Sequence, residues 1–241
     1  MAYGSQPRWT DRSAATQADI DVGLRDYMLR IYNYMASALA LTGIVAYVAA
    51  MGGRDSFIAH IYHTPLMWLV ILAPLGLVMV LSYGLNRLSV AAAQGIFWAY
   101  AALMGLSMST IFLVYTGESI ARVFFITAGT FTAMSLYGYT TKRDLSRFGA
   151  FLFMGLIGIV IASLVNIFVG SSALSFAISV IGVLVFTGLT AYDTQSIKEM
   201  YYEGDGYELA GKKSVMGALR LYLDFINLFM MLLRLMGTAR D

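Results

Sequence analysis

The stretch from Phe148 to Tyr192 reads FGAFLFMGLIGIVIASLVNIFVGSSALSFAISVIGVLVFTGLTAY and contains no charged residue. At 1.5 Å per residue it is about twice as long as one crossing of a bilayer core requires. The break at Gly170-Ser171-Ser172 divides it into two spans. Working outward, Ile31–Ala50, Leu66–Leu85, Ala91–Tyr115 and Val123–Thr141 are four further uncharged runs of spanning length. A seventh, from about Val215 to Gly237, has the right length but carries Arg220, Asp224 and Arg234. Such a helix is tolerated in a membrane only where neighbouring helices keep its polar groups from lipid. If it lay on the surface instead, six spans would remain.

Composition agrees with an integral membrane protein: 59% of residues are hydrophobic and 12% charged, against about 45–50% and 25% in soluble domains. With no cysteine, disulfides, thiolate metal sites and thiol catalysis are excluded. The basic residues are spread along the connections, so nucleic acid is not an expected partner; the lipid bilayer is. Residues 1–26 are polar and of mixed charge, without the apolar core of a cleaved signal. They read as a mobile tail ahead of a membrane domain at 27–237, with a short end at 238–241.

Lysine and arginine in short connections set sidedness. With seven spans, Arg8, Arg12, Arg25, Arg87, Lys142, Arg143, Arg147, Lys198, Lys212 and Lys213 share one side, and Arg54, Arg122 and Arg240 fall on the other. This predicts a cytoplasmic N-terminus and an external C-terminus. The six-span alternative would return the C-terminus to the inside. Small residues four apart, at Ala36/Ala40, Ala101/Gly105/Ser109 and Gly158/Ala162, predict close helix packing. No half-chain repeat is visible, which argues against an inverted-repeat transporter.

Two carboxylates lie inside the last two spans, Asp193 in Thr190-Ala-Tyr-Asp-Thr-Gln195 and Asp224 in Leu221-Tyr-Leu-Asp-Phe-Ile-Asn-Leu-Phe229. An acid at the centre of a spanning helix costs about 2.5–3.5 kcal/mol on insertion scales. Arg220, Asp224, Asn227, Met231 and Arg234 follow one another in steps of four and three, which aligns them on one stripe. On that spacing Arg220 pairs with Asp224 within the helix, and Arg220 and Arg234 together would make the stripe a neutralised structural network. Asp193 points to a second use. It lies about 7–8 Å from the charged end of its helix, while Asp224 lies about a turn deeper. If the two acids meet, they share a proton whose titration belongs to the pair. Two carboxylates fall far short of the six to eight oxygens of a tight calcium site, which favours weak, transient coordination over storage.

Enzymatic alternatives find no support in the residues. The lysines lie in connections or at helix ends, where no retinal Schiff base would form within the bundle. The only histidines, His60 and His63, fall in a loop, away from any intramembrane nucleophile and without a third metal ligand nearby. No His-Glu-x-x-His motif occurs. No tightly bound cofactor is expected.

Ala191-Tyr-Asp-Thr-Gln195 followed by Ile197-Lys198, the Asp224 segment followed by Leu233-Arg234, and Tyr137-Gly-Tyr-Thr-Thr-Lys-Arg-Asp-Leu145 resemble the Bax inhibitor-1, or transmembrane Bax inhibitor motif, family and its bacterial inner-membrane members. The resemblance covers about Asp26 to Gly237. It implies an all-α fold of seven transmembrane helices, the last central and wrapped by the other six. It further implies a pH-sensitive calcium leak channel gated by an aspartate pair, here Asp193 and Asp224, which would hold calcium transiently as the permeant ion. Arg87 matches an arginine that latches the sixth-helix aspartate in bacterial members, with a one-residue gap. An acid on the second helix of one such member has no counterpart in Leu66–Leu85. The resemblance also implies, as an alternative, a regulatory protein that modulates a membrane-bound ATP-dependent protease through its N-terminal tail.

Overall fold

The computed structural model describes residues 9–240. Among the described residues nine α-helices succeed one another: α1 (Trp9–Ala50), α2 (Phe57–Tyr62), α3 (Leu66–Gly84), α4 (Val90–Met108), α5 (Ile111–Val114), α6 (Gly117–Thr140), α7 (Ser146–Val169), α8 (Ser172–Glu199) and α9 (Tyr207–Met236). Seven segments are long and apolar enough to span a membrane, α4 and α5 together supplying the third and Tyr207–Met236 the last. The protein is therefore a multi-pass, all-α membrane protein, and the six-span alternative is not adopted.

Local chemistry explains the breaks. Gly170 adopts φ 63°, a left-handed conformation that suits glycine, and its N–H caps α7 by donating to Asn166 O. Asn166 Oδ1 accepts from Ser171 N at 3.0 Å, and Ser171 Oγ accepts from Leu174 N to start α8. At the next corner back, Asp144 Oδ1 accepts from Ser146 N at 2.8 Å. The Ser146 hydroxyl first, and this backbone bond second, hold the exposed Asp144 carboxyl below the usual range. The opposite corner of the bundle is tied by the chain end, where Thr116 N donates to Thr238 O and Arg240 N to Val114 O.

The first helix departs from expectation. Residues 9–26 form the beginning of α1, whose spanning part starts at Val22. Trp9–Ile31 contains no proline, so no strong breaker stops the helix. At 42 residues, α1 is about 63 Å long, far more than a bilayer needs. Residues 1–8 of the predicted tail lie outside the described residues.

Burial singles out α9. Its inward residues, including Leu219, Leu221, Tyr222, Leu228 and Leu233, are almost completely enclosed. Helices α1, α4, α6 and α8 pack directly on it, whereas α3 packs on α4 and α7 on α8. The polar groups in this core are largely paired: Thr42 Oγ1 joins Tyr222 Oη at 2.7 Å and donates to Ala101 O at 2.9 Å.

Small residues set several close crossings, though not always those the spacing suggests. A Cβ on Gly105 would lie 2.6 Å from Thr42 O, so the Ala101/Gly105/Ser109 row does bring α4 onto α1. Gly158 meets nothing, and Ala36 and Ala40 are exposed. The tightest approach to another helix's backbone is instead at Gly138, which seats α6 on α8; a Cβ there would collide with the Ala191 carbonyl. Gly138→Ala is therefore expected to destabilise the protein by about 1–3 kcal/mol through overpacking. Gly129→Ala, which meets no neighbour, should leave it unchanged or slightly stabler; thermal unfolding of the two variants in detergent checks this.

Candidate functional site: a carboxyl pair between two helices

Each residue of Ala191-Tyr-Asp-Thr-Gln195 has its own partner. Ala191 takes the close contact of Gly138, and the Tyr192 ring lies over Gly149 of α7. Thr194 Oγ1 lies 3.0 Å from Ser135 Oγ, which in turn lies 2.6 Å from Tyr32 Oη. Gln195 spans the α6–α7 turn, its Oε1 accepting from Leu145 N and its Nε2 donating to Arg143 O, both at 2.8 Å. One turn on, Lys198 Nζ donates to Tyr139 O at 2.8 Å and stands over the Tyr139 ring. These contacts hold α8 against α6 and α7 and leave Asp193 facing α9.

The α8–α9 connection fixes the other side. Lys213 Nζ reaches both Asp205 Oδ2, at 2.5 Å, and Met200 O, at 2.9 Å. This clamp sets the register of two antiparallel helices. The Asp193 and Asp224 carboxyl groups come within hydrogen-bonding reach of each other. The offset of about one turn, or 5.4 Å, counted from sequence does not keep them apart. Asp224 is 4% exposed, Asp193 is half-buried, and no donor among the described residues reaches Asp224 Oδ2.

Arg220 is the cation whose field acts on both acids. It forms no direct ion pair with either: the ion pairs between described residues are Lys212–Glu208 and Lys213–Asp205, both near the loop. The expected pairing of Arg220 with Asp224 within the helix is thus replaced by a looser three-group arrangement across two helices. Arg234 is exposed and lines a separate cavity ten residues further along α9, so it does not neutralise Asp224. Arg87 sits exposed on the 3-10 turn Leu85–Arg87 after α3. His60 lies in α2, its Nδ1 2.9 Å from Ser56 O, and no cluster of three or more His, Asp or Glu groups suited to a metal occurs among the described residues.

The acids open onto a cleft of about 950 Å³ between α7, α8 and α9, whose lining includes Asp193, Arg220, Asp224, Asn227 and Met231. The remaining wall is largely apolar, from residues such as Ile159 and Phe186. Two positioning features escaped the residue-by-residue reading, Gln195 and Gly138. Both belong to phrases already notable in the sequence, but their partners lie more than forty positions away.

A seven-span bundle with a carboxyl pair between its last two helices defines the class. Residues 24–241 match the family described as inhibitor of apoptosis-promoting Bax1, and the chain belongs to this Bax inhibitor-1 family. It is 51% identical over 222 residues to inner membrane protein YbhL of Escherichia coli K12, covering 90% of this chain and 94% of that one. An uncharacterized protein of Rickettsia prowazekii is 52% identical over 225 residues, 92% of this chain and 93% of its own length. An uncharacterized membrane protein of Streptococcus pyogenes is 40% identical over 218 residues, 90% and 94% of the two chains.

Asparagine at position 224 keeps the shape of the carboxyl and brings a donor of its own to face Asp193. Asp224→Asn is therefore expected to raise thermal stability at neutral pH, by about 1–3 kcal/mol, the usual cost of a buried unsatisfied group. A lower melting temperature would mark the pair as structural glue.

Proposed function

We propose that the protein is a pH-sensitive cation leak channel of the bacterial inner membrane, with calcium as the permeant ion and Asp193 and Asp224 as its gate. The observation that carries this reading is the meeting of the two carboxyl groups beside Arg220 without a direct ion pair. Two ionised carboxylates are both acceptors, so they hydrogen-bond to each other only through a proton. With that proton in place the pair is joined across α8 and α9. Without it, two negative charges face one guanidinium, the helices repel at this point, and the site attracts a hard cation through oxygen ligands. Coordination by two carboxylates is weak enough for the ion to leave again.

A latch from Arg87 to Asp193 belongs to a second conformation, one in which α3 shifts toward α8. In the positive-inside orientation, the Lys198–Lys213 end of the bundle and the N-terminus are cytoplasmic, so the gate lies near the inner face. Calcium is a substrate in this reading, not a resident cofactor.

The test is calcium flux in proteoliposomes reconstituted with the purified protein. Wild type is expected to leak at a rate that changes with pH, whereas Asp193→Asn and Asp224→Asn should lose that dependence. Flux identical in all three proteins at every pH would sink the proposal.

A second reading, modulation of a membrane-bound ATP-dependent protease, is favoured by the length of α1, whose first turns precede the span beginning at Val22. It expects deletion of residues 1–20 to abolish co-purification with the protease while flux persists. Unchanged co-purification after the deletion rejects it.

A further inference from the structure

The stripe Arg220, Asp224, Asn227, Met231 and Arg234 faces a single seam. The first four residues line the cleft that holds the acid pair. Arg234 lines a second cavity, of about 780 Å³, farther along the same side of α9. The two cavities share Ser163 and Ile167 of α7, so they adjoin end to end between α7, α8 and α9. The far cavity has a mixed wall: Asn166 Nδ2 donates to Ser175 Oγ at 2.7 Å, and Ser163, Ser179 and Arg234 line it alongside the apolar Ile167, Phe176 and Ile178.

Met231 stands along this line and is buried. It packs against Gly182 of α8 so closely that a Cβ there would lie 2.8 Å from both Met231 Cγ and Sδ. The missing side chain at 182 is what lets an unbranched, adaptable thioether close the seam. An apolar constriction of this kind blocks ions by excluding water, and a fixed arginine at a pore mouth raises the electrostatic barrier to cations.

We infer that the α7–α8–α9 seam is the route between the carboxyl pair and the opposite face of the membrane, closed by Met231 against Gly182 and guarded at its far mouth by Arg234. The inference rests on the cation-leak reading and adds the path and its two barriers. It accounts for a polar or adaptable residue at every turn of this stripe of α9, including Asn227, whose Nδ2 donates only to Leu223 O of its own helix. It also assigns a use to Ser163, which lines both cavities.

The native chain has no cysteine, so single cysteines report accessibility without background. In proteoliposomes, a charged, membrane-impermeant thiol reagent is expected to label Ser163→Cys and Asn166→Cys. Val165→Cys, on the outward face of α7, should react only with a lipid-soluble maleimide. Labelling Ser163→Cys should block calcium flux, while Met231→Ser and Arg234→Gln should each raise it several-fold. If Ser163→Cys reacts only with the lipid-soluble reagent, the seam is filled by acyl chains and the inference is wrong. If flux depends on Asp193 and Asp224 but is indifferent to labelled Ser163→Cys, the route lies elsewhere and the leak reading stands alone. If no flux depends on the acids, both are wrong, whatever the labelling pattern.

Discussion

The architecture depends on keeping one helix that carries two arginines and an aspartate away from hydrocarbon. On its own, α9 would be a poor membrane span, because each charge exposed to lipid costs several kcal/mol. Surrounded by α1, α4, α6 and α8, it becomes the most enclosed span of the bundle. Its apolar residues Leu221, Leu228 and Leu233 fill the contacts with its neighbours, and its polar stripe is confined to the side facing α7 and α8. The two most apolar spans, α3 and α7, take the outer positions. Helix α7, uncharged from Phe148 to its end, exposes Phe151, Phe153, Ile161 and Phe168, as suits a surface in contact with acyl chains.

That arrangement places unusual demands on α8, which separates α7 from α9 and also receives α6. Glycines meet the demand at several crossings. Gly138 and Gly149 lie on the partner helices against Ala191 and Tyr192, while Gly182 and Gly188 lie on α8 itself against Met231 and Leu152. In a membrane no hydrophobic drive favours one helix–helix contact over a helix–lipid contact, so association relies on close packing and hydrogen bonds. The Thr194–Ser135–Tyr32 chain and the two bonds from Gln195 supply the latter. Asp193 sits in the middle of this pinned segment, so its carboxyl has little freedom except toward α9.

Seven spans and the break at Gly170 were legible because length and charge suffice to recognise them. So was the stripe on α9, which helical periodicity reveals without any partner. What could not be read were facts of pairing. Arg220 and Asp224 are four apart on one helix and invite an ion pair, yet the side chain of Arg220 acts on both acids and bonds directly to neither. Gly158 and Ala162 have the spacing of a packing motif, but nothing approaches Gly158, because which side of a nearly all-apolar helix faces protein is not written in its own sequence. The polar composition of residues 9–26 suggested a tail, whereas composition alone does not oppose a helix when no proline interrupts it.

The distinction between structural glue and a working site turns on how completely buried polar groups are satisfied. Thr42 and Tyr222 form a closed set with the Ala101 carbonyl, and Gln195 uses both ends of its amide. Such groups rigidify a core, since each loses its partner only at a cost. Asp224 differs, because one carboxyl oxygen has no donor among the described residues although the group is buried. Tyr27 and Tyr100 also bury an unpartnered hydroxyl, but a phenol is neutral and mostly apolar, whereas a carboxyl is the more costly group to leave unpaired. Its companion across the interface is another acid, which offers a donor only when protonated. A site whose hydrogen bonding is complete in one protonation state and broken in the other has two unequal states by construction, and α8 and α9 are the elements that feel the difference. The nearby but unbonded guanidinium of Arg220 would moderate the repulsion without fixing either state, which is the electrostatic balance that the proposed gate requires.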